Sequence, residues 1–479
     1  MKIPFTGEFF TSRSITANRQ DLINWYVEID QNKSVVLYPR SGLKLFSTVG
    51  FGPIRGGIVF GDEAYIASNN VVYRVDATGI STNVLSLNTS LGQVNFAHNG
   101  TDIFVVDGAN GYIINHASGV GATITDASFP ASVTVCGFID GFFIADDPSV
   151  PGKWVSSRFY PANADLIDDG GSDDGWNALH FDRASRSPDE LIQMVVNYRE
   201  VWLFGTDSTE IWANAGLANF VFQALPNGFI EWGLVAKASV AKADNSIFWL
   251  AKSNAGGIHV VRTEGFNPKI VSTNAIDFLI QSLTTLSDAI GFSYEANGHA
   301  FYVLTFPSAN KTMQYDITTK TWSLLAAGAA LDRYRGVINL FYGNKNIVGD
   351  HTLGTLYEMD NDSFTDDGIV IKHIRTSQYI RAENRMMFHH ALEIEIEGGA
   401  GTLATPDPQL LLRWSDDGGF TWSNYQFMDM GGLGEYGIRL IKRHLGASRK
   451  RVYEISTSEA VNPVILNAYV EVDVSTQSV

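Results

Sequence analysis

The sequence predicts an all-β protein: a β-propeller of about seven blades, with six as the alternative count, followed by a C-terminal β-sandwich-like domain. Three observations lead there. A hairpin of two short, aromatic-rich alternating strands recurs along the first three quarters of the chain, and the shorter intervals match four strands per repeat. Glycine is abundant, 45 of 479 residues against 14 prolines, as many tight turns require. Beyond Asp360 the spacing breaks, and seven further short strands follow over about 110 residues.

Residues 1–51 form N-terminal strands that either close the propeller ring or reach out as an arm. The propeller itself is expected over 52–360. Its hairpins read AYIAS-NN-VVYRVD from Ala64, IFVVD-GANG-YIIN from Ile103 and GFFIAD-DPSVPG-KWVSS from Gly141. They continue with VWLFG-TDST-EIWA from Val201, IFWLA-KSNAGG-IHVV from Ile247, FYVLTF-PSANKT-MQYD from Phe301 and a weaker NIVGD-HTLG-TLYEMD from Asn346. Turn midpoints lie 40, 39, 59, 47, 55 and 44 residues apart. The two long intervals are assigned to insertions. One is the polar stretch 161–189, which lacks strand alternation. The other, 274–290, is read as a helix with Ile276, Leu279, Ile280, Leu283, Leu286 and Ile290 on one face and Asn274 as its cap. The polar run NDSFTDDG marks a boundary, and 365–479 forms the C-terminal β domain.

Composition narrows the function. Hydrophobic residues make up 45% and charged residues 18%, enough for a large core and unlike a disordered tail. Net charge is 34 − 51 = −17, which disfavours a protein that wraps duplex DNA on its own surface. A single cysteine, Cys136, excludes an intrachain disulfide framework and a cysteine-based zinc site. MKIPFTGEFF lacks the apolar core of a secretory signal, and no run approaches eighteen apolar residues, so the expectation is a chain that folds in a reducing cytoplasm with no membrane segment.

The motifs point away from catalysis. Ser415, Asp417, Gly419, Thr421 and Trp422 fit S-x-D-x-G-x-T-W, the Asp-box, which is a hairpin-turn motif: the carboxylate bonds turn amides, glycine supplies positive φ and the tryptophan covers the hairpin. Asp165, Asp168, Asp169, Asp173 and Asp174 do not fit calcium-loop spacing and read as a solvated loop. His389 and His390 are strand neighbours that face opposite ways and cannot easily chelate one metal. GxSxG and Walker motifs are absent, and no GxGxxG precedes a helix. No enzyme, cofactor or metal is therefore expected. One basic strip stands out on the acidic chain: Arg439, Lys442, Arg443, Arg449, Lys450 and Arg451, with His444. It reads as polar strand faces or as a docking strip for an acidic neighbour, including another copy of this chain; DNA contact is the third reading.

The opening TGEFFTSRSITANRQDLINWYVE and VVLYPRSGLKLFSTVGFGPIRGG resemble the start of the tail-hub proteins of short-tailed bacteriophages. These are also called packaged-DNA stabilisation proteins or nozzles. VWLFGTDSTEIWANAG, NGFIEWGL, FWLAKSNAGGIHVVRTEGF and LLRWSDDGGFTWSNYQF resemble the same family, as does the end from GEYGIRLIKRHL onward. The resemblance implies a structural protein of the virion tail, assembled in the host cytoplasm. It implies a homo-hexameric ring below the portal and its adaptor or head-completion protein, sealing the channel after packaging, with tailspikes or fibres outside, a needle or plug below, and genomic DNA passing through the lumen. An acidic lumen wall would repel phosphates and let DNA slide, so a net-negative lumen is expected. The alternative is a glycan-binding or glycan-cleaving propeller of the depolymerase or sialidase-like kind, resting on the lone Asp-box and the aromatic content.

Overall fold

A computed structural model describes residues 5, 7–13, 19–29, 35–168 and 175–475. Each predicted hairpin occupies the middle two strands of a four-stranded antiparallel blade, the inner strand of the fifth being split into Trp232–Leu234 and Ala241–Ala243. Seven such blades follow one another from Ile54–Phe60 to Thr355–Asp360. The middle strands are nearly continuous apolar runs because a blade is covered on both faces by its neighbours. Asp102–Val106 and Phe142–Asp146 are buried along their whole length. Along Ser246–Ser253, Trp249 packs towards the fourth blade while Phe248 and Leu250 pack towards the sixth. The core is therefore divided into seven apolar clusters, one between each pair of adjacent blades.

The N-terminal segment has two destinations. Gly42–Thr48 pairs antiparallel with Thr355–Asp360 as the outer strand of the seventh blade, joining the two ends of the ring. The inner strand Gly336–Tyr342 then contacts Ile54–Phe60 of the first blade. Upstream, Trp25–Ile29 and Val35–Pro39 leave the propeller and enter the C-terminal domain. One sheet there is ordered Trp25–Ile29, Val35–Pro39, Ile465–Val474, Met387–Ile396, Leu440–Arg443. The facing sheet runs His373–Thr376, Lys450–Thr457, Gln409–Ser415, Gln426–Asp429. Leu22–Ile23 bridges it to Thr321–Ala327, the outer strand of the sixth blade. The sandwich core and the cluster between the fifth and sixth blades are consequently one continuous apolar body, holding Trp25, Phe248, Tyr302, Trp322, Leu392, Leu412 and Tyr453.

Two sequence expectations change. Within 161–189, Asn163–Ile167 is a short helix, and Trp176–Arg183 is the outer strand of the third blade. An outer strand has one backbone partner and faces solvent, so it carries no apolar alternation to detect. Its anchor is Trp176, buried against Phe104 and Phe129 at ring separations of 5.6 and 4.8 Å. The helix expected over 274–290 is only Asn274–Gln281, capped by Thr273 rather than Asn274. The Ser282 hydroxyl bonds back to Leu279 O at 2.6 Å, and the β-branched pair Thr284 and Thr285 follows, so the helix stops. Ile290 instead opens the inner strand of the sixth blade.

The junction is fastened by two buried arginines. Arg40, 2% exposed, forms a bidentate pair with the fully buried Asp366 at 2.9 and 2.6 Å, and its Nε donates to Asn24 Oδ1 at 2.9 Å. Another Arg40 N–H reaches Ala326 O, and the guanidinium lies over Tyr334. Asn24 in turn donates to Lys372 O and accepts from Ala326 N. One polar knot thus ties the N-terminal strands, the sixth blade and the interdomain link. Arg375 sits deeper and is held by carbonyls: it donates to Phe5 O at 2.6 Å and to Glu8 O and Asp21 O at 3.3 Å. Burial pulls its guanidinium down to about 10, with Asp21 and Glu8 acting the other way. Substituting Arg40→Met leaves Asp366 buried and unpaired, and we expect a loss of about 3–5 kcal/mol in denaturant unfolding. The double variant Arg40→Met/Asp366→Leu should lose distinctly less.

Candidate interaction surfaces

The Asp-box is a closed loop at one end of the sandwich. Asp417 Oδ1 accepts from Ser415 Oγ at 2.7 Å and from the Phe420 and Thr421 amides at 3.0 Å; Oδ2 accepts from the Thr421 amide at 2.9 Å and its hydroxyl at 2.5 Å. Ser415 Oγ also accepts from Gly419 N at 2.7 Å. The Thr421 hydroxyl and amide, with Ser415, hold the Asp417 carboxyl well below the usual range. Gly418 and Gly419 have φ of 97° and 92°, a conformation that excludes other residues from this turn. Four of the five motif residues share this network. Trp422 stands apart, its face 4.5 Å from the Arg413 guanidinium, which pairs with Glu454 at 2.6 Å. All five have conformational tasks that their contacts account for.

The basic strip does not form one surface. Arg451 is buried at 2% exposure, holds Asp416 through bonds of 2.6 and 2.8 Å, and packs over Trp414 and Tyr453. It fastens the Asp-box turn to the sheet and cannot dock a partner. The cause is register: it begins the alternation RVYEIST on a strand whose inner face lies against the core. Arg439 is exposed but bound bidentately to Glu393 at 2.7 Å. Arg443 is exposed on the edge strand opposite Ala391, with the half-buried Lys442 beside it opposite Leu392. Arg449 donates to Asn384 O at 3.0 Å.

Lys450 lies directly opposite Arg381 across the ladder with Ile380–Arg381. Facing cations are unfavourable unless something neutralises them. They line an open groove of about 990 Å³ whose carboxylates are already committed, Glu383 to Arg385 and Asp416 to Arg451. Neither Arg381 nor Lys450 has a carboxylate partner among the described residues. The spacing of basic residues marked this region, but Arg381 lies 69 positions before Lys450 and no local pattern joins them.

Of the acidic insertion, Asp165 serves its own helix by accepting from Ala162 N at 3.3 Å, while Asp169, Asp173 and Asp174 lie outside the described residues. No group of three potential metal-ligating side chains is assembled among the described residues. His389 is buried and His390 exposed, as strand alternation requires. His389 Nε2 lies 3.0 Å from Ser448 Oγ, and its Nδ1 3.0 Å from the Tyr453 hydroxyl. This spacing superficially matches a nucleophile, base and orienting group. Burial, with Arg451 beside it, holds His389 down to about 4, so it stays neutral where a general base would have to gain a proton. Burial also keeps the Tyr453 phenol up at about 12, so it is no anionic partner for an imidazolium. The trio is a core polar network.

Among the described residues, no helix is long and apolar enough to cross a membrane. The histidine predicts a pH dependence. Unfolded His389 takes its proton near 6.5 and the folded residue only near 4, so its contribution is complete above 6.5 and lost as pH falls towards 4. Equilibrium unfolding should show stability dropping over that window. His389→Gln should flatten the drop by on the order of 2–3 kcal/mol.

Comparison with known proteins extends the geometry. Residues 20–364 match the family described as bacteriophage P22 Gp10, beta-propeller, and residues 372–473 match bacteriophage P22 Gp10, beta-sandwich. The tail hub protein gp10 of Salmonella phage P22 is 21% identical over 405 residues, covering 81% of this chain and 82% of that protein. Two solved structures align with the chain at low similarity. One is a chain of the mitotic checkpoint complex (11% identity, TM-score 0.40, 66% of this chain and 93% of that one). The other is U3-55K (7%, TM-score 0.41, 67% and 98%); at those scores neither bears on function. The two family matches meet at the observed junction of propeller and sandwich, and the chain belongs to the phage P22 Gp10 tail-hub family, whose members are components of the virion tail.

Proposed function

We propose that this chain is the structural subunit of a tail hub that sits as a ring of identical copies below the portal and its adaptor, continues the DNA channel and retains packaged DNA. The ring has six copies, its outer surface carries tailspikes or fibres, and its lower end receives a needle or plug. The observation that carries the reading is the family match through both domains, 20–364 and 372–473. The fold supports a load-bearing role. Propeller and sandwich share one apolar core, and the Arg40–Asp366 knot locks their junction, so force on one domain is transmitted to the other. Charge supports a channel protein that does not grip its cargo: residues 20–364 carry 20 basic and 35 acidic side chains, 20 − 35 = −15. A ring wall of that sign lets DNA slide, and retention is then steric.

Silencing the gene during infection tests the role. Particles lacking the chain should package DNA and then lose it, seen as emptied heads without complete tails and as nuclease-sensitive genomes. Full, tailed particles that only fail to adsorb or to degrade a capsule would overturn it.

We assign Arg443 and Lys450 of the basic strip, with Arg381 opposite Lys450, to an interface with another copy. Lys450 and Arg381 have no carboxylate partner within the chain among the described residues, Arg443 acts on Glu393 only through space, and the propeller of a neighbouring copy is rich in acidic side chains. The triple variant Arg381→Glu/Arg443→Glu/Lys450→Glu should fold with unchanged far-ultraviolet circular dichroism and fail to join rings or particles. Assembly at the wild-type level would rule the strip out.

A further inference from the structure

The rim of the third and fourth blades carries aromatic rings that the core does not use. Phe159 and Tyr160 follow the strand Lys153–Ser157 and stand 65% and 58% exposed; Tyr198, at the neighbouring hairpin of the fourth blade, stands 70% exposed. Tyr160 and Tyr198 have φ of 43° and 53°, and no other phenylalanine, tyrosine or tryptophan among the described residues is left-handed. That conformation is costly for such a side chain and is kept where function uses it. The rings are held in place. A Cβ on Gly141 would stand 2.6 Å from both Phe159 and Tyr160, the Tyr160 amide donates to Gly141 O at 2.9 Å, and Phe159 lies 5.4 Å from Phe142. Arg199 binds Asp140 through contacts of 3.2 and 3.1 Å, which ties the hairpin of Tyr198 to that of Gly141. From Tyr160 the chain runs on into 161–174, which holds Asp165, Asp168, Asp169, Asp173 and Asp174 and no basic residue.

The groove at the sandwich end has the complementary make-up. Arg381, Arg449 and Lys450 line it, and none of the three has a carboxylate partner among the described residues. Its two carboxylates, Glu383 and Asp416, are paired with Arg385 and Arg451. Met386 and Ala447 supply apolar wall, and the exposed Phe388 stands opposite Ala447 at the margin. Exposed aromatic side chains beside arginines are the composition of a protein contact, and facing cations lose their repulsion when carboxylates come between them. One other run has five carboxylates in ten residues, 358–367, but three of those are already used: Glu358 by Lys345, Asp360 by Lys44 and Asp366 by Arg40. The run at 165–174 is the better counterpart for the groove.

We propose that the basic groove of one copy receives the third-blade rim of the next, with Arg381, Arg449 and Lys450 meeting the aspartates of 165–174 and the rings of Phe159 and Tyr160 packing on the apolar wall. This rests on the ring reading above and names the two surfaces that join its copies. A chain's own rim does not fill its own groove: the third blade packs on the second and fourth, and the sandwich on the fifth and sixth. Groove and rim are different surfaces, so the contact is head-to-tail, and repeating it about one axis closes a ring. Charge gives the contact its specificity and its register, and added salt weakens it.

Charge reversal tests the pairing in particles made while the gene is silenced and the chain is supplied as a variant. Arg381→Glu/Arg449→Glu/Lys450→Glu turns the groove acidic like the rim, and Asp168→Lys/Asp169→Lys/Asp173→Lys/Asp174→Lys turns the rim basic like the groove. Each alone should be incorporated more than about tenfold less than wild type, since like charges now face each other. Supplied together, the two should enter the same particles in equal amounts, because alternating copies restore attraction at every contact. Far-ultraviolet circular dichroism and Tm of the purified chains identify a variant that has failed to fold. Tyr160→Gly gives an independent reading: it removes the ring and relieves the backbone, so it should keep the wild-type Tm and lose incorporation. Wild-type incorporation of a charge variant alone or of Tyr160→Gly, or no recovery on mixing, would overturn the pairing. Loss of the groove variant with the rim variant retained would remove this pairing alone, whereas particles that keep their DNA without the chain would remove the tail-hub reading.

Discussion

The buried pair of Arg40 and Asp366 lies where three otherwise separate structures must agree. Arg40 follows the strand Val35–Pro39 of the sandwich and precedes Gly42–Thr48 of the seventh blade, so a few residues carry the chain from one domain to the other. Asp366 lies on the return path into the sandwich, 326 positions later. Two opposite charges stripped of water hold each other only in good geometry, and the bidentate contact, the Asn24 bridge and the Tyr334 face supply it. Burial opposes the Arg40 charge, and Asp366 more than restores it. The registers of the closing strand and of the interdomain link are both constrained by that one contact.

Ring closure follows from it. A seven-bladed ring whose final blade lacked its outer strand would expose an unpaired edge, which invites pairing with other chains. Gly42–Thr48 removes that edge by supplying a strand from the opposite end of the sequence. The price in chain entropy of holding ends so far apart in sequence grows only slowly with loop length, while the strand pairing and the cluster around Leu43, Tyr357 and Val348 are fully gained. The sandwich extends the principle. It shares its core with the fifth and sixth blades, so it cannot swing as a hinged appendage without opening apolar surface around Trp25 and Trp322.

Charge is distributed by place. The propeller carries nearly all of the net negative charge, and the sandwich end presents Arg381 and Lys450 face to face. Like charges facing each other are destabilising, so the retention of Arg381 opposite Lys450 is consistent with the acidic surface of another copy at the groove. Where carboxylates are within reach, as at Arg451 with Asp416 or Arg439 with Glu393, the arginines are internally paired and leave nothing for a partner.

The blade hairpins are legible in the sequence, because a strand buried on both faces leaves a dense run of apolar and aromatic residues within a short window. So is the Asp-box loop, whose hydrogen bonds all close within seven residues from Ser415 to Thr421. Outer strands such as Trp176–Arg183 are not legible there, since one exposed face and backbone pairing leave no periodic trace. Long-range packing assigns Gly42–Thr48 to the last blade and Trp25–Ile29 to the sandwich, and turns Arg451 inward to Asp416. Periodicity tells which face of an element is buried, but not what covers it; that is set by packing between segments hundreds of residues apart, where no local rule of spacing operates.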